Sequence, residues 1–340
     1  MGGADVYTSL EENEGLVLHW CSYARQPDHG FGSGCGGFLM VRVLVTGVGG
    51  PAGHSLSHQL RGQGHWVLGV DMRPVHASAA DAIAVVSPVS APGYLWELRG
   101  LVAAHGIELV IPTVSEELLA AAIAREGFAP GVDVLIAEPA PVSIANDKYL
   151  SMRCLANAGV AVPDFGLPGD FSSVNEAMAK MGGWLVVKPR TSRGGKGVQV
   201  LEWRTDGGRN AERVWRSLDD SWLVQRFATG TEYAAAVYRG EGPAHHNLVV
   251  VLEKTGRKHG RWGSTASVKR LESPESDVAR TAVAAVEALG LTGPVDIDIR
   301  RMSDGRPVVL EINARFGANS AHAPELLHHA MRGYAARQVM

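Results

Sequence analysis

Three oxygen-bearing side chains near the C-terminal end of the chain are spaced to bind a hard cation. The stretch Val295–Arg315, VDIDIRRMSDGRPVVLEINAR, alternates apolar and polar residues on both sides of Asp304-Gly305. That dipeptide is a strong hairpin signal, because Asp and Gly tolerate the positive φ of a two-residue loop. With that loop, Ser303 pairs with Arg306, Asp298 stands opposite Glu311, and Asp296 stands opposite Asn313. Val295, Ile297 and Ile299 then share one face with Val308, Leu310 and Ile312. The other face carries Asp296, Asp298, Arg300, Val309, Glu311 and Asn313. Directly opposed side chains have Cβ atoms about 4.5–5.5 Å apart, and like charges there repel. Two carboxylates and an amide oxygen so placed suit Mg²⁺, which takes oxygen ligands from one or two carboxylates plus substrate phosphates. Asp298, Glu311 and Asn313 are therefore the expected metal ligands. The competing interpretation is a solvated acidic sheet face.

A second group of residues is basic and Gly-rich. A strand over Trp184–Lys188 ends in Lys188-Pro189, and the segment from Thr191 to Gly197 leads into another strand over Val198–Trp203. A Gly-rich loop between strands can fold over phosphates, and its amides and the Ser192 hydroxyl can donate to them. Lys148 lies at the start of a helix that Asn146 or Asp147 caps and that runs to Asn157. Two separate lysines and such a loop suit a triphosphate, although most single lysines are simply solvated. Further on, a strand over Trp222–Phe227 breaks at Ala228-Thr229-Gly230. Gln225, Arg226 and Phe227 can offer backbone groups to a purine, with Phe227 as an apolar wall, and Glu232 can accept from ribose hydroxyls.

The elements that position these residues alternate strand and helix over residues 40–140. Strands are expected at Val41–Val48, Trp66–Val70, Ala82–Val86, Leu109–Pro112 and Val134–Ala137, with helices at Leu95–His105 and Glu116–Arg125. That order predicts a parallel sheet with helices on its faces. Gly47-Val48-Gly49 with Ala52, and Asp71 about twenty residues on, approximates a dinucleotide fingerprint. A nicotinamide-dependent oxidoreductase using the Gly47–Gly53 turn is thus a second reading. No Tyr-x-x-x-Lys pair follows it, and His54 stands where a Walker A loop has its lysine. Later strands are expected at Tyr233–Tyr238, His246–Glu253 and Ser264–Leu271, with helices at Pro274–Leu289 and Pro324–Tyr334.

The chain of 340 residues has room for two or three domains, and its net charge of −3 leaves no electrostatic footprint for nucleic acid or an anionic membrane. No apolar run reaches transmembrane length. Cys21, Cys35 and Cys154 form no metal or disulfide pattern, which suits a reducing cytoplasm. The pairs His245-His246 and His328-His329 lack metal spacing. Residues 1–39 have Gly clusters and no sustained periodicity, and they read as a disordered extension before Met40.

Taken in chain order, Asn146-Asp147-Lys148, Lys188-Pro189, Ser192–Gly197, Gln225-Arg226-Phe227, Gly230–Tyr233, Asp298 and Glu311-Ile312-Asn313-Ala314-Arg315 resemble the ATP-grasp enzymes. The likeness is greatest to single-module relatives of the carbamoyl-phosphate synthase large chain, and it covers residues 40–340. It implies an α/β and α+β fold: a Rossmann-like pre-ATP-grasp domain at 40–140, then a two-part ATP-grasp fold with a lid subdomain at 141–222 and a C-terminal subdomain at 223–340. It implies ATP and Mg²⁺ as cofactors. Lys148 and Lys188 would contact the phosphates, and Ser192, Gly194, Gly195 and Gly197 would form a flap over them. Gln225, Arg226 and Phe227 would line the adenine site, Glu232 would hold the ribose, and Asp298, Glu311 and Asn313 would hold the metal. Arg315 would face the transferred phosphoryl group. Three positions depart from the family pattern: Arg226 replaces a frequent acidic residue, Asp298 a longer Gln or Glu, and Ala314 a frequent Pro.

The implied reaction activates a carboxylate as an acyl-phosphate and passes it to an amine, releasing ADP and phosphate. The implied partners are small carboxylic acids and amines, amino acids or small peptides by analogy, with a homodimer as the assembly. A non-catalytic ATP-binding module is the remaining alternative. Substrate contacts are expected from Gly49–His54, from Thr113–Glu117 and from the region of Lys269 and Arg270.

Overall fold

The β-branched run after Met40 forms β1 (Arg42–Thr46), buried from Val43 onward, as a strand covered on both faces must be. α1 (Pro51–Gly62) follows with Pro51 in its first turn, where no intrahelical amide bond is lost. Then come β2 (Trp66–Asp71), β3 (Ala82–Val85), α2 (Tyr94–His105), β4 (Leu109–Ile111), α3 (Leu118–Ala124) and β5 (Asp133–Val134). The strands are parallel in the order β3-β2-β1-β4-β5. The order reverses between β1 and β4, and in open sheets of this kind ligands bind beyond the strand C-termini at that point. Thr46 and Thr113 tie the two ends together: the Thr113 hydroxyl donates to the Thr46 carbonyl at 2.7 Å, and the Thr113 amide to the Thr46 hydroxyl at 2.8 Å. This computed structural model describes residues 40–203, 208–240, 247–257, 265–271 and 276–338. The expected extension at 1–39, with Cys21 and Cys35, and the His245-His246 pair lie outside the described residues.

Two helices follow end to end, α4 (Pro139–Asn146) and α5 (Lys148–Asn157), and Asp147 caps the second by accepting from the Tyr149 and Leu150 amides. Next come β6 (Phe165–Gly166), α6 (Val174–Met181), β7 (Trp184–Pro189), β8 (Gln199–Glu202), α7 (Arg209–Trp215) and β9 (Trp222–Arg226). Their strands form an antiparallel sheet in the order β6-β9-β7-β8. It has a core of its own, in which Val174, Ala177 and Met181 cover Leu185, Val187 and Val224. β9 pairs with β7 along its whole length. The division expected between residues 222 and 223 therefore falls inside a strand, because β9 is needed to complete this sheet.

The third sheet contains β10 (Glu232–Arg239), β11 (Asn247–Arg257), β12 (Thr265–Arg270), β13 (Gly293–Arg301) and β14 (Pro307–Asn313), with α8 (Ser276–Leu289) and α9 (Pro324–Gln338). It is antiparallel in the order β12-β11-β10-β13-β14. Its core is continuous with that of the parallel sheet. Ile297, Val309 and Val286 share one cluster with Leu44, Leu68 and Met152, and Leu252, Leu326 and Met331 share another with Val43 and Leu56. Met152 and Leu155 on α5 belong to the first cluster, so this helix packs with the third sheet although the sequence division assigns it to the lid. Each fully buried side chain of this size contributes about 1.5–3 kcal/mol, which gives the hairpin β13–β14 a rigid base.

The hairpin reaches its expected pairing at the acidic end through two compensating departures. Its loop has three residues, Ser303-Asp304-Gly305, with Arg301 paired to Pro307, the Met302 amide donating to the Arg306 carbonyl, and Gly305 at φ +84°. That shifts the register by one residue. A β-bulge beyond Asp298, with Leu310 as the extra residue, shifts it back, so Asp298 faces Glu311 and Asp296 faces Asn313. Between loop and bulge the expected faces are exchanged. Val309 joins Ile297 and Ile299 in the core, and Val308 and Leu310 pack with Ala228 and Met302 instead. The extra residue of a bulge is left out of the ladder. Here the Leu310 carbonyl accepts from the Lys188 ammonium at 2.9 Å.

Candidate active site

Two buried lysines and two opposed carboxylates meet above that bulge. Lys148 and Lys188 are 4 % and 5 % exposed. Lys148 stands at the first position of α5 because Asp147 caps the helix, and Arg190 clamps Asp147 with Nε 3.1 Å from its carboxylate. The Lys148 ammonium lies 3.3 Å from Glu311 and donates to the Ser192 carbonyl at 2.7 Å. Burial, helped by the charge of Lys148 and opposed by Glu311, pushes the Lys188 pKa down to about 8. Desolvation disfavours an ammonium ion, so Lys188 is a cation held ready for an anion.

The sequence reading missed a third lysine. Lys254 on β11 is 7 % exposed and sits 2.7 Å from Asp298 and 2.8 Å from Glu232. Burial works against its charge, but the two carboxylates outweigh burial and hold its pKa above the ordinary lysine value. The available signal was a lysine two residues beyond the apolar run Leu248–Leu252, on a strand where an unpaired charge is costly. Asp298 thus meets Lys254 as well as Glu311, and Glu232 is shared between Lys254 and Arg300, whose Nη1 is 3.7 Å away.

Lys188, Gln225, Phe227, Glu232, Asp298 and Glu311 line one narrow cleft of about 70 Å³ between the four-stranded and the third sheet. Its far end is where the expected purine-reading strand lies. There the Arg226 amide donates to the Asp164 carbonyl at 2.8 Å, and the Phe227 amide to the Trp184 carbonyl at 3.1 Å. Both amides are thus already engaged within the protein. Ala228 follows them in the same cleft and is the next backbone position along it. The Arg226 side chain turns to Asp164 at 3.2 Å. Gln225 is buried, with its amide nitrogen 3.5 Å from the Met152 sulfur. Phe227 stacks at a tilt on Trp184 and under the Arg300 guanidinium.

The Gly-rich loop bends back over the lysines. Gly194, Gly195 and Gly197 have φ of +60°, +70° and +79°, values that side chains with a Cβ adopt at a cost of about 1–3 kcal/mol. A Cβ on Gly197 would also stand 2.8 Å from the Pro189 ring. Gly197→Ala is expected to strain and displace the loop at a cost of about 1–3 kcal/mol, read as a lowered melting temperature in thermal unfolding of both proteins. Across the opening, the Arg193 Nε lies 2.6 Å from Glu116 beyond β4, close in distance but not aligned as a hydrogen bond.

Arg315 lines a second, larger cleft of about 390 Å³ beyond the C-termini of the parallel strands. Its Nη1 is 3.2 Å from Asp296 and donates to the Phe316 carbonyl at 3.0 Å. Asp296, which had no expected role, is a half-buried carboxylate whose pKa desolvation raises and Arg315 opposes. It orients Arg315. Glu117, the last residue of the expected substrate segment Thr113–Glu117, is buried and accepts from Thr46, Tyr94 and the Thr113 and Val114 amides, which fixes the wall of the larger cleft. Burial raises its pKa against those hydrogen bonds. Of the expected substrate segments, Gly50–Ala52 and Thr113–Ser115 line this cleft. Lys269 and Arg270 are not among its lining residues, and Arg270 is bound to Glu325 at 3.0 Å. The Gly47 turn and Asp71 open on the same cleft as Arg315.

Comparisons with known proteins point the same way. A family model described as the ATP-grasp domain matches residues 145–319. The chain is 30 % identical over 225 residues to a probable alpha-L-glutamate ligase of Thioalkalivibrio sulfidiphilus, covering 62 % of this chain and 70 % of the relative. It is 27 % identical over 184 residues to a D-alanine–D-alanine ligase of Neisseria meningitidis serogroup B, covering 52 % of this chain but only 60 % of that enzyme. In fold it is similar to an L-amino acid ligase from Bacillus licheniformis, with a TM-score of 0.63, 19 % identity, and 83 % and 69 % of the two chains covered.

Proposed function

This chain belongs to the ATP-grasp family, and we propose that it is a Mg²⁺-dependent ligase that joins a small carboxylic acid to an amine at the expense of ATP. The observation that carries the reading is the convergence of Lys148, Lys188, Asp298 and Glu311 under a Gly-rich loop, beside a second cleft that Arg315 enters. In this reading the parallel sheet is the pre-ATP-grasp domain, the four-stranded sheet is the lid, and the third sheet is the C-terminal half.

The substrate carboxylate attacks the γ-phosphorus of ATP, and ADP leaves. The amine then attacks the carbonyl carbon of the acyl-phosphate, loses a proton, and phosphate departs. Catalysis of such steps is chiefly positioning and charge neutralisation. Lys148 and Lys188 hold the phosphates, Lys254 adds a third cation, and Arg315, oriented by Asp296, faces the transferred group. Each lysine already lies against a carboxylate or carbonyl oxygen. An anionic nucleotide and a cation can therefore enter together without leaving an uncompensated charge. The loop from Ser192 to Gly197 shields the acyl-phosphate from water.

The donor set fits Mg²⁺. Asp298 and Glu311 face each other across the hairpin and are 25 % and 22 % exposed, and Asn313 continues the same row. Among the described residues no cluster of three or more His, Cys, Asp or Glu forms a closed metal cage. An open two-carboxylate site completed by phosphates is what Mg²⁺ uses. Bound there, the ion would neutralise charge on the phosphates.

Two measurements test the reading. The protein is mixed with Mg²⁺-ATP and pools of amino acids, short peptides and other small acids. ADP and phosphate are expected in equal amounts, only with certain pools. ATP binding without turnover in any pool would favour a non-catalytic module, and NADH binding without ATP binding would overturn the reading. The second measurement uses pH. Lys188 is protonated below about pH 8 and loses its charge above it. ATP affinity is thus expected to fall as pH rises from 7 to 9, with proton uptake on binding above pH 8. Calorimetry in buffers of different ionisation enthalpy reads both effects, and a flat profile would remove Lys188 from the phosphate site.

A further inference from the structure

Arg190, which had no expected role, ties Lys148 to the four-stranded sheet. It follows β7 directly, two residues after Lys188. Its backbone is held on both sides: the amide donates to the Ser221 carbonyl at 2.9 Å, just before β9, and the carbonyl accepts from the Lys148 amide at 3.0 Å. The side chain spans the same joint. Its Nε lies 3.1 Å from both Asp147 oxygens, its Nη2 lies 2.5 Å from one of them, and its Nη1 donates to the Asp220 carbonyl at 3.1 Å. The guanidinium also sits over the Tyr149 ring, 5.3 Å from its centroid. Asp147 in turn accepts from the Tyr149 and Leu150 amides at 2.9 and 3.2 Å. Burial alone would raise the Asp147 pKa, but the hydrogen bonds from Arg190 and from the Leu150 amide outweigh it and hold it below the usual carboxylate range. A two-pronged pair of opposite charges is stronger than a neutral hydrogen bond and fixes orientation.

The joint lies between two separately packed parts of the chain. β7 and β9 belong to the four-stranded sheet, which has its own core. α5 packs with the third sheet through Met152 and Leu155. Lys148 is the first residue of α5, so whatever orients that first turn also aims its ammonium. The ammonium lies 2.7 Å from the Ser192 carbonyl and 3.3 Å from Glu311. The segment from Arg190 to Ser192 therefore holds Lys148 at both ends, by its backbone amide and by its ammonium. Helix ends fray unless they are tied down, and a catalytic group displaced by about 1 Å can cost about a hundredfold in rate.

We propose that Arg190 is a positioning residue: through Asp147 it sets the Lys148 ammonium for the nucleotide phosphates and locks the four-stranded sheet onto α5. This rests on the ligase reading, in which Lys148 holds those phosphates. Arg190 itself touches neither nucleotide nor metal, and its effect on binding passes through Lys148.

The test is a double-mutant cycle on the full chain, read as ATP affinity by calorimetric titration in Mg²⁺. Arg190→Gln is expected to weaken ATP binding at least about tenfold in the parent protein. In a Lys148→Gln background the same change is expected to cost less than about twofold, since no ammonium is left to position. Asp147→Asn keeps an oxygen for the α5 amides but loses the charge that Arg190 grips. It is expected to match Arg190→Gln in both backgrounds, and it carries the cycle if Arg190→Gln does not fold. Arg190→Lys restores the charge without the two-pronged contact and is expected to recover part of the affinity. Equal losses in the two backgrounds would make Arg190 a general structural residue and overturn the proposal, as would an Arg190→Gln protein that binds ATP like its parent. In either case ATP binding by the parent leaves the ligase reading in place. No ATP binding by the parent would remove that reading instead.

Discussion

Glu311→Ala is expected to lower turnover at least about a hundredfold while the protein remains folded. Glu311 stands opposite Asp298 and 3.3 Å from the Lys148 ammonium. Its removal would leave the proposed metal site one carboxylate, and it leaves Lys148 with only the Ser192 oxygens. The first loss acts on catalysis and on the Mg²⁺ concentration needed for half-maximal rate, which should rise. The second acts on stability, and modestly, because Glu311 is partly exposed. Glu311→Gln separates the two effects. It keeps an oxygen for Lys148 but loses the charge, so activity should fall while the melting temperature holds. ADP formation across a Mg²⁺ titration, with thermal unfolding of each variant, reads both. A folded Glu311→Ala protein with normal turnover would sink the metal assignment.

Lys254→Ala is expected to abolish ATP binding and to destabilise the fold at pH 7 by less than the about 3–5 kcal/mol of a fully buried ion pair, because Asp298 and Glu232 are partly exposed. Asp298 and Glu232 both bond to Lys254, and without it Asp298 loses its ion pair while Glu232 keeps only Arg300, 3.7 Å away. Like charges so placed repel most while both are ionised, and acid relieves that repulsion. The deficit of the variant should therefore be largest at pH 7 and shrink towards pH 4–5. Added Mg²⁺ should also reduce it, since the ion can replace the ammonium. Denaturant unfolding of both proteins from pH 4 to 8 gives the comparison. Parallel stability curves would remove this ion pair from the account.

The likeness to ligases was legible in local patterns. The strand ending in Lys188, the Gly-rich loop after it, the capped start of the helix at Lys148 and the alternation around Asp304-Gly305 are all short-range features. Each depends on backbone preferences within a few residues, which the sequence states directly. The pairing of Asp298 with Glu311 was also right, but for a reason the alternation did not contain. A three-residue loop moves the register one way and the bulge at Leu310 moves it back. A bulge forms where tertiary packing rewards it, here by turning Val309 into the core and offering the Leu310 carbonyl to Lys188. Neither partner is near the other in sequence.

The residues that the sequence did not mark are those whose role is a long-range contact. Lys254 gains its meaning from Asp298, 44 residues away, and Asp296 from the guanidinium of Arg315. Asp71 looked like part of a dinucleotide fingerprint, but strand order puts it in one cleft with Arg315. The sequence by itself determined which backbone segments form and which side chains carry charge, because those follow from composition and periodicity. The tertiary structure alone decided which charges meet. An ion pair is set by distances of a few ångströms, and only the packing of the three sheets brings those groups within that range.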